Sequence, residues 1–175
     1  MNFSFRYSSI KDINFYTECF ENEEFQYMLY HNEPLNINRI EHYVLDNGKD
    51  LKFVGSVEDK NGVLTDVGFA HFYYKEEGAY TYVGGVHPKY FNHGYGIYAS
   101  IAMLSLFYDL KPKVKITTGI YKYNQRSLKA DLAIGFILTG ETEDKYLLKL
   151  TKDSFDNDFV RRIKRNMQYR LSKES

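Results

Sequence analysis

The sequence predicts a mixed α/β (α+β) domain, and three observations carry that expectation. Asn61 and Gly62 sit between two apolar runs, 50–59 and 63–74, where a hairpin turn belongs. A second turn over 75–78 returns the chain into a further strand-like run, 79–86. A strand–helix–strand succession then follows, so antiparallel pairing comes first and a β-α-β unit later.

The elements follow in order. Phe3, Phe5 and Tyr7 alternate, as an opening strand does. A helix is expected over 9–20: Ser9 can cap it, Asp12 stands three residues on, and Ile13, Tyr16 and Phe20 recur at helical spacing. A second short helix is expected after Pro34, with Ile40, Tyr43 and Val44 as its apolar face. After the hairpin and the fourth strand, 96–110 reads as a helix with Ile97, Ile101, Leu104 and Tyr108 on one side and Pro112 beyond its end. Residues 114–121 form a fifth strand, 124–134 a helix closed by Gly135, and 136–140 and 146–150 a last pair of strands. The expected division is a domain over 1–152 and an added C-terminal helix, 153–175, packed on it. Phe159, Ile163 and Met167 form that helix's docking stripe, with a homodimer contact as the alternative use.

Composition narrows the function. A formal net charge of zero over 175 residues argues against a nucleic-acid binder, which needs a basic surface. The single Cys19 can form no internal disulfide, which suits a reducing compartment. No long apolar run opens the chain and no membrane segment is visible, so the expected location is cytoplasmic. The five histidines and Cys19 show no metal-ligand spacing, so no metal is expected.

The informative stretch is 84–100, GGVHPKYFNHGYGIYAS. Two glycines in a strand mark a bulge or a close approach of another backbone. Gly94 and Gly96 lead into a helix N-terminus, where free amides and the positive end of the dipole converge, and both can take a positive φ. A phosphate or pyrophosphate suits that place. The chain lacks the Gly-Lys-Ser/Thr run of a P-loop. The segment 94–99 matches a Gly-x-Gly-x-x-Ala dinucleotide pattern, but seven residues separate it from the strand and no acid follows the next strand.

Val86, Pro88, Tyr90, Gly94 and Gly96 resemble the acetyl-CoA loop of the GNAT N-acetyltransferase superfamily. Asn124, Ser127, Gly135 and Phe136 resemble its Asn-x-x-Ala/Ser…Leu-Gly-Phe block, with Ile134 for the leucine. The resemblance covers roughly 51–150. It implies a central mixed, mostly antiparallel sheet of about seven strands flanked by helices, its fourth strand bulged. It also implies transfer of an acetyl group from acetyl-CoA directly to a primary amine of a small molecule, peptide N-terminus or protein lysine. On it, the amides of Asn92, His93, Gly94, Tyr95 and Gly96, with Ile97 behind them, cradle the pyrophosphate. Gly85 and Val86 pair with the pantetheine amides like an added strand. Phe91, Asn124 and Ser127 complete the coenzyme site.

Two positions depart from the family. Phe91 stands where Arg or Gln is usual, and Asp131 where a tyrosine often protonates the departing thiolate. An ordinary aspartate is ionised at neutral pH, so the acid is Tyr95, Tyr123, water, or an Asp131 raised by burial. The fourth strand offers Tyr80 but no carboxylate. His71 on the preceding strand is therefore the leading candidate base, ahead of Glu33 and Glu41. These departures also leave open a catalytically weak or inactive scaffold that serves as a binding module.

Overall fold

The chain is described by a computed structural model over residues 1–30, 40–44 and 48–172. It opens with β1 (Asn2–Tyr7), a 3-10 turn (Ile10–Asp12), α1 (Ile13–Phe20), α2 (Glu23–Tyr30) and α3 (Ile40–Val44). Then come β2 (Leu51–Glu58), β3 (Leu64–Glu76), β4 (Ala79–Val86), a 3-10 turn (Pro88–Tyr90) and α4 (Tyr95–Leu110). β5 (Lys115–Tyr121), α5 (Gln125–Ile134), β6 (Ile137–Glu141), β7 (Lys145–Leu150), α6 (Lys152–Phe155), α7 (Asp158–Lys164) and β8 (Gln168–Leu171) complete it.

Eight strands form one sheet in the order β6-β7-β5-β4-β3-β2-β1-β8. Pairing is antiparallel except at β4–β5 and β1–β8. The sheet separates two cores. On one side Phe53, Phe72, Tyr80 and Ile116 pack against Phe107 and its neighbours from α4. On the other, Val54 and Phe69 pack against Tyr16, Phe20 and Phe25 of α1 and α2 and Ile40 and Val44 of α3.

Local chemistry explains the elements. The Asp12 carboxylate reaches back to accept the Ser9 amide at 2.8 Å, so the expected cap at the start of the first helical stretch is present. Helix α2 was not foreseen. Asn22 caps it by accepting the Phe25 amide at 2.9 Å, and Glu23 and Glu24 complement its positive end. Helix α4 is buried all round from Ile101 to Tyr108, not along one stripe alone. The sheet covers one side and the tail covers the other, which is why its sequence is apolar throughout.

The tail is a correction. The single helix expected over 153–175 is instead α6, α7 and an eighth strand, β8, parallel to β1 along 2–5. Thr151 and Asn157 each cap a new short helix, so the run cannot continue as one. Met167 and Val160 still enter the core, with Phe159 and Ile163 packed against it. No helix among the described residues is long and apolar enough to cross a membrane.

Candidate functional site

The pairing of β4 with β5 stops early. Ala79, Tyr80 and Thr81 pair with Lys115, Ile116 and Thr117, and there the ladder ends. β4 runs on to Val86 beside β3, and β5 runs on to Tyr121 beside β7. The two strands therefore diverge into a wedge. Backbone groups of 82–86 that face β5 have no strand partner there. The wedge is a cleft of about 460 Å³.

One wall is β4 and the loop after it. The other is 118–121 of β5 and the first turns of α5, and α2 lies across both. Phe25 of α2 stacks on Phe91 and packs on Phe69. At its other end α2 is held by the β5–α5 corner, where the Tyr123 hydroxyl donates to the Tyr27 carbonyl and Asn124 Nδ2 to the Met28 carbonyl at 3.5 Å.

The loop presents amides to this cleft. Gly94 is left-handed at φ 79° and caps α4, and Asn92 is left-handed at φ 63°. Among the described residues no protein acceptor takes the amides of Asn92, Gly94, Tyr95, Gly96 or Ile97, as expected for a loop and first helical turn. The His93 amide differs: it donates to the Tyr90 carbonyl at 3.3 Å and is withdrawn from the expected cradle. Gly96 also corrects the expectation of a positive φ. It is an ordinary residue of α4's first turn, and a Cβ there would meet Val86 Cγ2 at 3.6 Å.

The fourth strand is not bulged at its glycines. Gly84 and Gly85 pair in register with Ala70 and Phe69. Gly85 is required by the aromatic wall, since a Cβ would stand 2.9 Å from the Phe25 ring and 3.1 Å from Phe69.

Gly85, Val86 and Phe91, the open-amide residues, and Asn124, Ser127 and Asp131 thus line one cleft. Asn124 caps α5 by accepting the Ser127 amide at 3.1 Å. Arg126, which the sequence reading passed over, donates to Asn92 Oδ1 at 2.6 Å and brings a guanidinium to the loop where Phe91 brings none. Asp131 is half-buried, and burial pushes its carboxyl up to about 7. The Tyr82 hydroxyl is pushed up by burial and donates to Ser100 Oγ at 3.4 Å.

Two expected catalytic residues are elsewhere. His71 is fully buried among Tyr16, Tyr43 and Phe69. Its Nε2 lies 2.8 Å from the Tyr16 hydroxyl and its Nδ1 3.1 Å from that of Tyr73. Burial, and then the nearby Lys52, hold it well below the usual histidine value. It is a satisfied neutral core histidine and not a base at the cleft. Tyr80 lies in the opposite core, edge-on to Phe107. Of the lesser candidates, Glu41 is exposed on α3, and Glu33 lies outside the described residues.

Because His71's folded pKa is depressed, its stabilisation is present above about 6.5 and is lost as pH falls. His71→Ala is expected to cost about 2–4 kcal/mol by leaving a cavity and unpaired hydroxyls. Thermal melts would show that loss, with the shape of the pH–rate profile unchanged.

No family model matches the sequence, and no curated protein matches it. Solved structures match over nearly the whole length. Aminoglycoside acetyltransferase AAC(6')-Ib in complex with ribostamycin and coenzyme A superposes with a TM-score of 0.74 at 15% identity, covering 90% of this chain and 98% of that one. Spermidine N-acetyltransferase from Vibrio cholerae, in complex with CoA and spermine, gives 0.72 at 15% identity, covering 89% and 98%. An uncharacterized protein from Bacillus halodurans gives 0.75 at 17% identity, covering 94% and 91%. With the split between β4 and β5 and the mostly antiparallel sheet, these likenesses establish that the chain has the fold of the GNAT acetyltransferases.

Proposed function

We propose that the protein is an N-acetyltransferase that moves an acetyl group from acetyl-CoA to a primary amine. The observation that carries the reading is the set of unpartnered amides at Asn92 and 94–97, opening on a wedge between diverging strands. Those amides, the α4 dipole and the Arg126 guanidinium suit a diphosphate. The free edge of 82–86 suits an amide-bearing arm laid beside it as an extra strand, and Asn124 stands across the wedge from that edge.

Acetyl-CoA supplies an activated thioester. The chain's part is to hold amine and thioester together, an advantage worth about 7–11 kcal/mol. The departing sulfur needs a proton, and Asp131 is suited to give it. A carboxyl pushed up to about 7 is half protonated at neutral pH, and the Tyr82 hydroxyl beside it remains protonated. Glu24, exposed on α2 at the cleft, can take the acceptor's proton.

The acceptor is best read as cationic. Helices α1 and α2 and the turn between them carry Glu18, Glu21, Glu23 and Glu24, all exposed, and no Lys or Arg. The two liganded neighbours hold ribostamycin and spermine. An open, donor-lined cleft favours the enzyme over an inactive scaffold.

Assaying a panel of amines with free-thiol detection tests the reading; no thiol release with any amine would overturn it. If Asp131 is the acid, activity falls as pH rises through about 7. Asp131→Asn should lower kcat roughly 10²-fold and abolish that limb. An unchanged kcat with the same limb would remove Asp131 from the role.

A further inference from the structure

His87, the residue before Pro88, is 8% exposed, and every polar atom it has is engaged. Its amide donates to the Val67 carbonyl at 2.8 Å, and its carbonyl accepts the Tyr90 amide at 2.8 Å. Nδ1 accepts the Lys89 amide at 3.2 Å, and Nε2 lies 3.1 Å from Glu18 Oε2. Phe15 of α1 and Tyr90 flank the ring, with centroids 5.3 and 6.0 Å away.

These partners fix the ring's state. Nδ1 can accept only if it carries no proton, so the proton sits on Nε2 and is donated to Glu18. Pro88 has no amide hydrogen. Lys89 therefore holds the first amide of the Pro88–Tyr90 turn that needs an acceptor, and His87 is its cap. The turn hands its geometry forward. The Phe91 amide bonds to Pro88 and the His93 amide to Tyr90, and the left-handed Asn92 and Gly94 hang on that frame.

We infer that His87 is a positioning residue for the anion cradle: as the neutral Nε2–H tautomer it caps the turn and pins it to α1, so that the amides of Asn92 and 94–97 stay open to the cleft. The cap matters more than the hydrogen bond to Glu18, because the Glu18 side chain is 67% exposed and a solvated contact contributes little. The identity of the cradled ligand rests on the acetyl-CoA reading; the positioning of the loop does not.

The test compares His87→Ala with His87→Asn, whose Oδ1 can take the Lys89 amide. Calorimetry and steady-state kinetics with acetyl-CoA should show Kd and KM about tenfold higher in the alanine variant, with kcat little changed. The asparagine variant should restore both. Amide hydrogen exchange over 89–97 should quicken in the alanine variant and return with asparagine. Equal Kd and equal exchange in wild type and His87→Ala would overturn the inference, as would an asparagine variant no better than alanine. If the wild type itself gives no heat with acetyl-CoA, the coenzyme reading fails, and the exchange comparison alone decides the role of His87.

Discussion

Gly94→Val is expected to abolish acetyl-CoA binding while the domain stays folded. Gly94 caps α4 at φ 79°, and nothing lies within 4 Å of a Cβ built there. The substitution therefore meets no packing obstacle. It meets a conformational one, because a β-branched residue resists the left-handed region at a cost of about 1–2 kcal/mol. The loop relieves that strain by shifting, and the open amides of Asn92, Gly94 and Tyr95 are displaced from the cleft. Losing two charge-assisted hydrogen bonds costs roughly 3 kcal/mol or more, at least a hundredfold in Kd. The melting temperature should fall by only about 2–6 °C. Titration calorimetry and a thermal scan read both quantities; a variant that binds as the wild type does would show that the cradle is not where the ligand's charge lies.

Gly135→Ala should have the opposite character, a large loss of stability centred away from the loop. Gly135 closes α5 at φ 111°, and a Cβ there would lie 2.0 Å from the Ser154 carbonyl oxygen and 2.8 Å from its carbon. Both are backbone atoms and cannot swing aside. Asn157 holds the same junction, its Nδ2 donating to the Ile134 carbonyl at 3.0 Å while its Oδ1 accepts the Val160 amide at 3.0 Å. Relief requires the tail to undock, which exposes Phe155, Val160 and Met167. The expected cost is about 4 kcal/mol or more, a fall in melting temperature on the order of 10 °C. Gly78→Ala is the control: its φ is 75° with nothing within 4 Å, so it carries the conformational cost without the collision. Equal losses in the two variants would show that the junction yields.

The strands were legible because their signals are local. Phe3 and Phe5 alternate, Asn61 and Gly62 make the hairpin, and Gly78 takes the positive φ its turn requires. The loop was legible for the same reason, since Gly94 states a backbone requirement that few other residues meet. Helix α2 escaped notice because it is short, although Asn22 followed by two glutamates is a usable start signal. β8 escaped because four residues beside β1 gain strand character only from that neighbour.

In the site, what could not be read depends on distant chain. His71 shares its face of β3 with Phe69 and Tyr73, so alternation gives its direction but not that Tyr16, from α1, would seal it. Asp131 is an ordinary helix position until the fold desolvates it. Arg126 becomes part of the loop only through Asn92, far back in the chain. His87 looks like a surface residue until Glu18 and Phe15 arrive beside it.

Titration calorimetry of acetyl-CoA into the wild-type protein tests the central claim most directly. The open amides of Asn92 and 94–97 and the unpaired edge of β4 predict one site per chain with a dissociation constant in the micromolar range. No heat, together with no thermal shift at saturating ligand, would contradict it.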